Sequence, residues 1–513
     1  MDALSPRKST LHDPAKLLSS TTNKLRTIPY RHTLSFQSFQ ASSVRKEEEP
    51  HQQTKILPLP SIKRKRAQPN LLTTLFNTLD SIINNFIDQP LPPFLNPENV
   101  FRCNFSQVDE LPPTSCPIIY GHLPSCLDGA YIRNGPNPQY LPRGPYHNFD
   151  GDGMLHSLHI SGGRATFCSR YVKTYKYCIE YNAGTPLIPN LFSGFHGLTA
   201  TLARGLLSAA RILAGDFNLV NGIGVANTSL AFFSNRLFAL VEYDLPYSVR
   251  LTGDGDIQTI GRHDFDGKLF MSMTAHPKID PVTDIQMGMN LKMIFRGGSL
   301  IGYDPRKVPR IGVIPRYAKD DSEMRWFEVA GLNMVHTINA WDEEEDVIVL
   351  IGPNILSMEH LLESLDLGNA SVEKVRIDSK TGIVTRFPIS EWNLELGVIN
   401  PRYVGSKNRY SYLGIVDQLD SRISGVIKLD LSGWEFETGR DSDVDVEAEA
   451  EDDGYLVTYV HNMNTGESRF LVMDAKSPSL EIVAAVKLPR RVPGGFHGIF
   501  VGQSNLQKME VEL

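Results

Sequence analysis

The chain has 513 residues, 41% of them hydrophobic, with 40 glycines, 33 prolines and a formal net charge of -7. That is enough apolar sequence for a large core, and the mildly acidic balance excludes the concentrated basic face that nucleic-acid binding needs. No apolar run reaches the roughly 18 residues of a transmembrane helix.

Residues 1–45 are rich in serine, threonine and basic side chains, with almost no acids before Glu47 and no apolar h-region. That composition predicts an organelle transit peptide rather than a secretory signal. Residues 46–69 read as a disordered Pro-rich, basic linker that contains Lys63, Arg64, Lys65 and Arg66. From residue 70 the pattern changes. Leu72, Leu75, Phe76, Leu79, Ile82, Ile83, Phe86 and Ile87 recur at three- and four-residue steps, which predicts an amphipathic helix over 71–88 with Asp80 and the asparagines facing away. Pro90 stops it. Such a helix either packs on the globular body or lays its apolar face into a membrane interface. A second helical segment, 198–213, could join it in an apolar platform.

Beyond about residue 100 the chain reads as all-β. Turn signals recur, among them Asn134-Gly135-Pro136, Asp150-Gly151-Asp152-Gly153 and Asn464-Thr465-Gly466, and between them lie short runs such as RLFALVEY, DVIVLIG and GYLVTYV. Many short strands without β/α alternation point to a sandwich, a barrel or a propeller, and a propeller suits this length best. The acidic run at 437–453 has almost no apolar anchor and reads as a solvated loop. The five cysteines, Cys103, Cys116, Cys126, Cys168 and Cys178, are odd in number and fit neither a zinc ribbon nor a CxxC pair, so free thiols are expected.

Of the 14 histidines, His12, His32 and His51 lie in the tail and His360 in a polar helical patch. His147, His156 and His159 flank the Asp-Gly turn and could be ligands, surface residues or strand residues. His276, His336 and His497 differ, because each stands where an apolar run ends in a turn. His276 precedes Pro277, which holds its backbone extended. Neutral imidazoles in an apolar setting suit Fe(II), and their second ring nitrogens need orienting acceptors. Glu242 and Glu395, lone acids beside apolar segments, are the candidates.

The segments RNGPNPQY (133–140), HNFDGDGMLHSL (147–158), TAHPKIDP (274–281), IPRYAKDDSEMRWFEV (314–329), HTINAWDEEED (336–346), EDDGYLVTYVH (451–461) and VPGGFHGIF (492–500) resemble the plant carotenoid cleavage dioxygenases. NGIGVANTSLAFF and GESRFLVMDAKSP resemble the plastid class-four subfamily in particular. The resemblance covers residues 70–513 as a single domain. It implies a seven-bladed β-propeller with capping helices on one face, and four histidines holding one Fe(2+) per chain on its axis, three of them backed by glutamates. The implied reaction is cleavage of a conjugated carotenoid double bond by O2, at the 9,10 or 9',10' position, into carbonyl products. A plastid location follows, with peripheral contact to a membrane or plastoglobule.

The chain departs from that pattern in three places. His276, His336 and His497 match the first, third and fourth ligands of the family, but no histidine lies between His276 and His336. HPKIDPVT runs directly into DIQMGMNLKMIFRGG, where family members carry several strands and the second ligand. About one blade's worth of strands is therefore expected to be missing. A second gap falls near 433–450. Glu242 and Glu395 match two of the outer glutamates, while Met463 takes the position of the third and cannot accept a strong hydrogen bond. The expectation is an oxygenase with impaired iron binding and activity; the alternative is a catalytically inactive carotenoid- or lipid-binding propeller.

Overall fold

A computed structural model describes residues 33–34, 56–57, 71–88, 91, 93–194, 197–270, 272–278, 307–344, 346–356, 369–417, 422–432 and 450–511. Nearly all of the tail and linker, the junction after Pro281, the His360 patch and most of the acidic loop lie outside the described residues.

The described strands form five blades in sequence order, joined by hairpins. Blade 1 runs β24 (Gly498–Gly502), β5 (Gly129–Pro136), β6 (Gly153–Ser161), β7 (Arg164–Tyr171) and β3 (Leu111–Cys116). Blade 2 runs β8 (Ser229–Phe233), β9 (Arg236–Leu240), β10 (Tyr247–Leu251) and β11 (Ile257–His263), with β2 (Ile56–Leu57) beside β11. A two-stranded ribbon follows, β12 (Arg310–Val313) with β13 (Arg325–Glu328). Blade 3 is β14 (Asn339–Glu344), β15 (Val347–Ile355), β16 (Ala370–Asp378) and β17 (Val384–Pro388), and blade 4 is β18 (Leu394–Val398), β19 (Tyr410–Val416) and β20 (Ile423–Asp430). Blade 5 is β21 (Tyr455–His461), β22 (Ser468–Asp474), β23 (Ile482–Lys487) and β4 (Ile118–Gly121), with β1 (Thr33–Leu34) beside β21.

The two chain ends interlock. C-terminal β24 pairs with β5 in blade 1, and N-terminal β4 pairs with β23 in blade 5. Exchanging strands across the seam gives their backbone groups ladder partners and leaves fewer open edges. Inter-blade cores complete the packing. Tyr131 and Phe167 of blade 1 meet Tyr459 and Phe470 of blade 5, and Ile132 and Leu155 meet Leu237 and Tyr247 of blade 2. Further clusters join blades 4 and 5, blades 3 and 4, and the ribbon with blade 3.

The expectation of seven blades is corrected to five. Among the described residues no apolar cluster bridges blade 2 and the ribbon. A further four-stranded blade needs about 35 residues with its turns. Between β11 and the ribbon the described residues carry His276 and no strand. The figure of seven came from the resemblance alone, and the described residues pair into five blades and the ribbon.

Among the described residues five α-helices accompany the sheets: α1 (Leu71–Ile82), α2 (Pro97–Val100), α3 (Tyr175–Ala183), α4 (Leu198–Leu213) and α5 (Gln503–Val511). The α1 helix continues through a π turn, Ile83–Ile87. Its polar side does not face solvent as the periodicity suggested. Asp88 and Asn84 receive Arg204 of α4, and Asp80 and Asn77 receive Arg211. Phe76, Ile83 and Leu207 fill the seam between the helices. The remaining apolar side chains point outward: Leu71, Leu75 and Phe86 from α1 and its extension, and Leu198, Leu202, Leu206 and Leu213 from α4. A buried pair, Arg204–Asp88, and a half-exposed one, Arg211–Asp80, thus hold the two helices together by their polar sides, which leaves a shared apolar face exposed.

Candidate metal centre

His276, His336 and His497 come from three parts of the ring. His276 follows blade 2. Its loop is anchored by Met273 and Ala275, which are buried against Ala231, Phe233, Phe238 and Leu240. His276 Nδ1 lies 2.6 Å from Glu242 Oε1, just past the end of β9. Thr274 supports both, donating from Oγ1 to Glu242 Oε1 at 3.4 Å and accepting from His276 N at 3.2 Å.

His336 precedes β14. Its loop is pinned where Asn333 N donates to Asn354 Oδ1 and Ile338 N to Ile351 O. His336 Nδ1 lies 2.8 Å from Glu395 Oε2. Glu395 is fully buried on β18, where the register with β19 slips and Leu396 takes a left-handed φ of 54°. That bulge turns the carboxylate toward blade 3, as bulges beside functional sites commonly do.

His497 ends the VPGGFH loop, which neighbouring groups clamp by its backbone. Val492 N donates to Ser468 Oγ, Gly494 N to Asn104 O, Arg133 Nη2 to Pro493 O, and Phe496 N to Asn134 O. Gly495 is required here, since a Cβ would lie 2.7 Å from Arg133 Nε and 2.9 Å from Asn134 O. Burial and the nearby His276, His336 and Lys278 hold the His497 imidazole well below its ordinary value of 6.5, so it is neutral at pH 7. Among the described residues no carboxylate reaches its ring. Met463, in the position expected of the third glutamate, is exposed in the turn between β21 and β22.

The three rings stand edge to face, with centroids 4.9 to 5.2 Å apart, and their ligand atoms lie within 4.8 Å of one another. With Nδ1 of His276 and His336 turned to carboxylates, each presents Nε2 to the centre. His276 Nε2 and His497 Nε2 are 3.1 Å apart. Two nitrogens bound to one metal at about 2.1 Å, at right angles, stand about 3 Å apart. The donor set therefore fits a single divalent ion. A row of aromatic rings starts at Phe496, the chain neighbour of His497: Phe496 meets Phe149, Phe149 meets Phe192, and Phe192 meets Tyr243, the chain neighbour of Glu242.

The other histidines left open by the sequence lie elsewhere. His147 is buried and caps the turn at 148–150, with Nδ1 accepting from Phe149 N. His156 is buried on β6 against Phe167, and His159 pairs with Gln503. Cys116, Cys126, Cys168 and Cys178 are free. The aromatic row and the clamps on the His497 loop were not visible in the sequence, where Phe149 and Phe496 are simply members of the motifs HNFDGDGMLHSL and VPGGFHGIF.

The family model for retinal pigment epithelial membrane protein matches residues 104–296 and 283–502, two segments that meet in the stretch after Pro281. "Probable carotenoid cleavage dioxygenase 4, chloroplastic" of Arabidopsis thaliana is 53% identical, covering 90% of this chain and 90% of that protein. "9-cis-epoxycarotenoid dioxygenase NCED1, chloroplastic" of Oryza sativa subsp. japonica is 48% identical, covering 85% and 81%. Among solved structures, cobalt-substituted Synechocystis ACO superimposes with a TM-score of 0.63 at 21% identity, over 80% of this chain and 99% of that one.

Proposed function

The chain belongs to the carotenoid oxygenase family of retinal pigment epithelial membrane protein and the plant carotenoid cleavage dioxygenases, and from that premise we propose that it is a non-heme Fe(II) dioxygenase. It cleaves a conjugated double bond of a carotenoid or apocarotenoid with O2, giving two carbonyl products, at the 9,10 or 9',10' position. The convergence of three imidazoles on one point carries this reading.

His276, His336 and His497 would hold one Fe(2+) per chain. The bound ion supplies the O2 chemistry. The chain's own groups do the rest. Glu242 and Glu395 fix two imidazoles in the tautomer that directs Nε2 inward. The neutral donors leave the ion's positive charge uncancelled. The aromatic row of Phe496, Phe149, Phe192 and Tyr243 would offer flat apolar faces against which a polyene can lie.

Three ligands where the resemblance implies four give a looser site, and among the described residues His497 has no carboxylate partner. Weak iron binding and reduced turnover are therefore the expected behaviour. The same observation supports a second reading, a catalytically inactive propeller that binds carotenoid or lipid. Iron content and product analysis separate the two. Bound iron with β-carotene shortened to an apocarotenal supports the oxygenase; binding of intact polyene by iron-free protein sinks it in favour of the binder.

Residues 1–45 act as a plastid transit peptide in this reading, and the apolar face of α1 and α4 docks on a plastid membrane or plastoglobule. Two features support the docking: the exposed leucines of both helices, and a substrate that must leave a lipid phase. No described helix is long and apolar enough to cross a membrane.

A further inference from the structure

We propose that Asn134 and Ser229 are positioning residues, forming a bridge that ties the His276 loop to the His497 loop and sets the separation of their two imidazoles. The inference rests on the metal-centre reading above and adds to it how two of the ligands are held in register.

The bridge can be followed atom by atom. Asn134 lies on β5 and is fully buried. Its backbone brackets the histidine, with Asn134 N donating to His497 O at 2.8 Å and Asn134 O accepting from Phe496 N at 3.0 Å. Its side chain crosses to blade 2, where Nδ2 donates to Ala226 O at 2.8 Å and Ser229 O at 3.1 Å. The two carbonyl acceptors fix the amide orientation, since only the NH2 end can serve both. Ala226 holds a left-handed φ of 49°, an uncommon backbone for a residue with a side chain. Ser229 then carries the link onward, its Oγ donating to Ala275 O, the carbonyl beside His276. Ser229 also pairs across the sheet with Leu240, two residues before Glu242.

One continuous chain of hydrogen bonds thus runs from His497 to Ala275. Hydrophobic packing already joins blades 1 and 2, but it is non-directional and cannot set a ring separation to a fraction of an ångström. The His276 and His336 rings are each oriented by a carboxylate, whereas His497 depends on its backbone clamps. Binding sites tolerate only about 0.5 Å of misplacement, so the 3.1 Å approach of His276 Nε2 to His497 Nε2 is sensitive to this link.

The test uses the full chain carrying Ser229→Ala, which removes the hydroxyl without adding bulk, and Asn134→Asp, which keeps the shape but loses both side-chain N–H donors. Ser157→Ala is the control, a fully buried hydroxyl on β6 with no hydrogen-bond partner. Two readouts are taken: Co(II) affinity with its visible absorption, and ring 15N signals of histidine-labelled protein without metal. Loss of an outer partner typically lowers metal affinity 10- to 100-fold. The expectation for Ser229→Ala is about a 10-fold loss, an altered Co(II) spectrum, and shifted or broadened His276 and His497 ring signals, with Ser157→Ala unchanged. The proposal is overturned if Ser229→Ala leaves both the affinity and the ring signals as they were, or if Ser157→Ala moves them equally. If the unaltered protein binds no Co(II), the metal-centre reading fails, and the metal-free ring signals alone decide the bridge.

Discussion

Glu395 and Glu242 do the same task in different surroundings. Glu395 is fully buried and its Oε1 has no hydrogen-bond partner, whereas the Glu242 side chain is 32% exposed. Solvent can substitute for Glu242 but not for Glu395. Glu395→Gln should therefore lower Co(II) affinity toward the 100-fold end of the range for such partners, and Glu242→Gln toward the 10-fold end; parallel metal titrations check the order. His147 makes a prediction about pH. Burial pushes its pKa down to about 4, while the unfolded imidazole titrates near 6.5. Between those values the unfolded chain binds the extra proton. This residue's contribution is thus complete above pH 6.5 and is lost as pH falls toward 4, by up to about 1.4 kcal/mol per pH unit. In His147→Asn, which keeps an acceptor for Phe149 N, the urea midpoint should drop less between pH 7 and pH 5 than in the unaltered protein.

The α1 and α4 helices show how an element's environment overrides its pattern. The apolar stripe on α1 is real, but arginines from α4 capture the polar side and turn most of the stripe outward. The Arg204–Asp88 pair has both side chains under a tenth exposed. Breaking a buried pair from one side costs about 3–5 kcal/mol. Asp88→Ala should therefore destabilise the α1–α4 unit by that order, read by denaturant unfolding. Substitutions on the outward face behave differently. Leu75→Glu combined with Leu206→Glu should abolish binding to liposomes while leaving the melting temperature almost unchanged, because neither side chain is in the core. Unchanged liposome binding would remove this face as the docking surface.

The whole molecule depends on closing its ring between blades 1 and 5. Phe167 is completely buried in the cluster that joins them, and Phe→Ala truncation in such a core costs about 3–5 kcal/mol. Phe167→Ala should lower stability by that amount and, by loosening the seam beside β5 and β24, weaken Co(II) binding as well. Calorimetry paired with metal titration tests the coupling. Undiminished metal affinity in a destabilised protein would show that the centre is insulated from closure.

Local patterns in the sequence were enough to read an all-β chain, the amphipathic segment near 71–88 and three histidines at the ends of apolar runs, because strand alternation, helix periodicity and turn residues are short-range properties. The family motifs are likewise contiguous. The blade count was not legible. It depends on long-range strand pairing, which no contiguous motif encodes, and the number seven came from the resemblance. The orientation of α1 was decided by Arg204 and Arg211, more than a hundred residues away in sequence. The role of Asn134 depends on partners in two other loops, so no local signal could reveal it. The sequence by itself determined which residue types were available for a metal site and that no histidine lies between His276 and His336. Only the tertiary structure decided that the remaining three meet, since ligands so far apart in the chain converge only when blades from several parts of the ring pack around one axis.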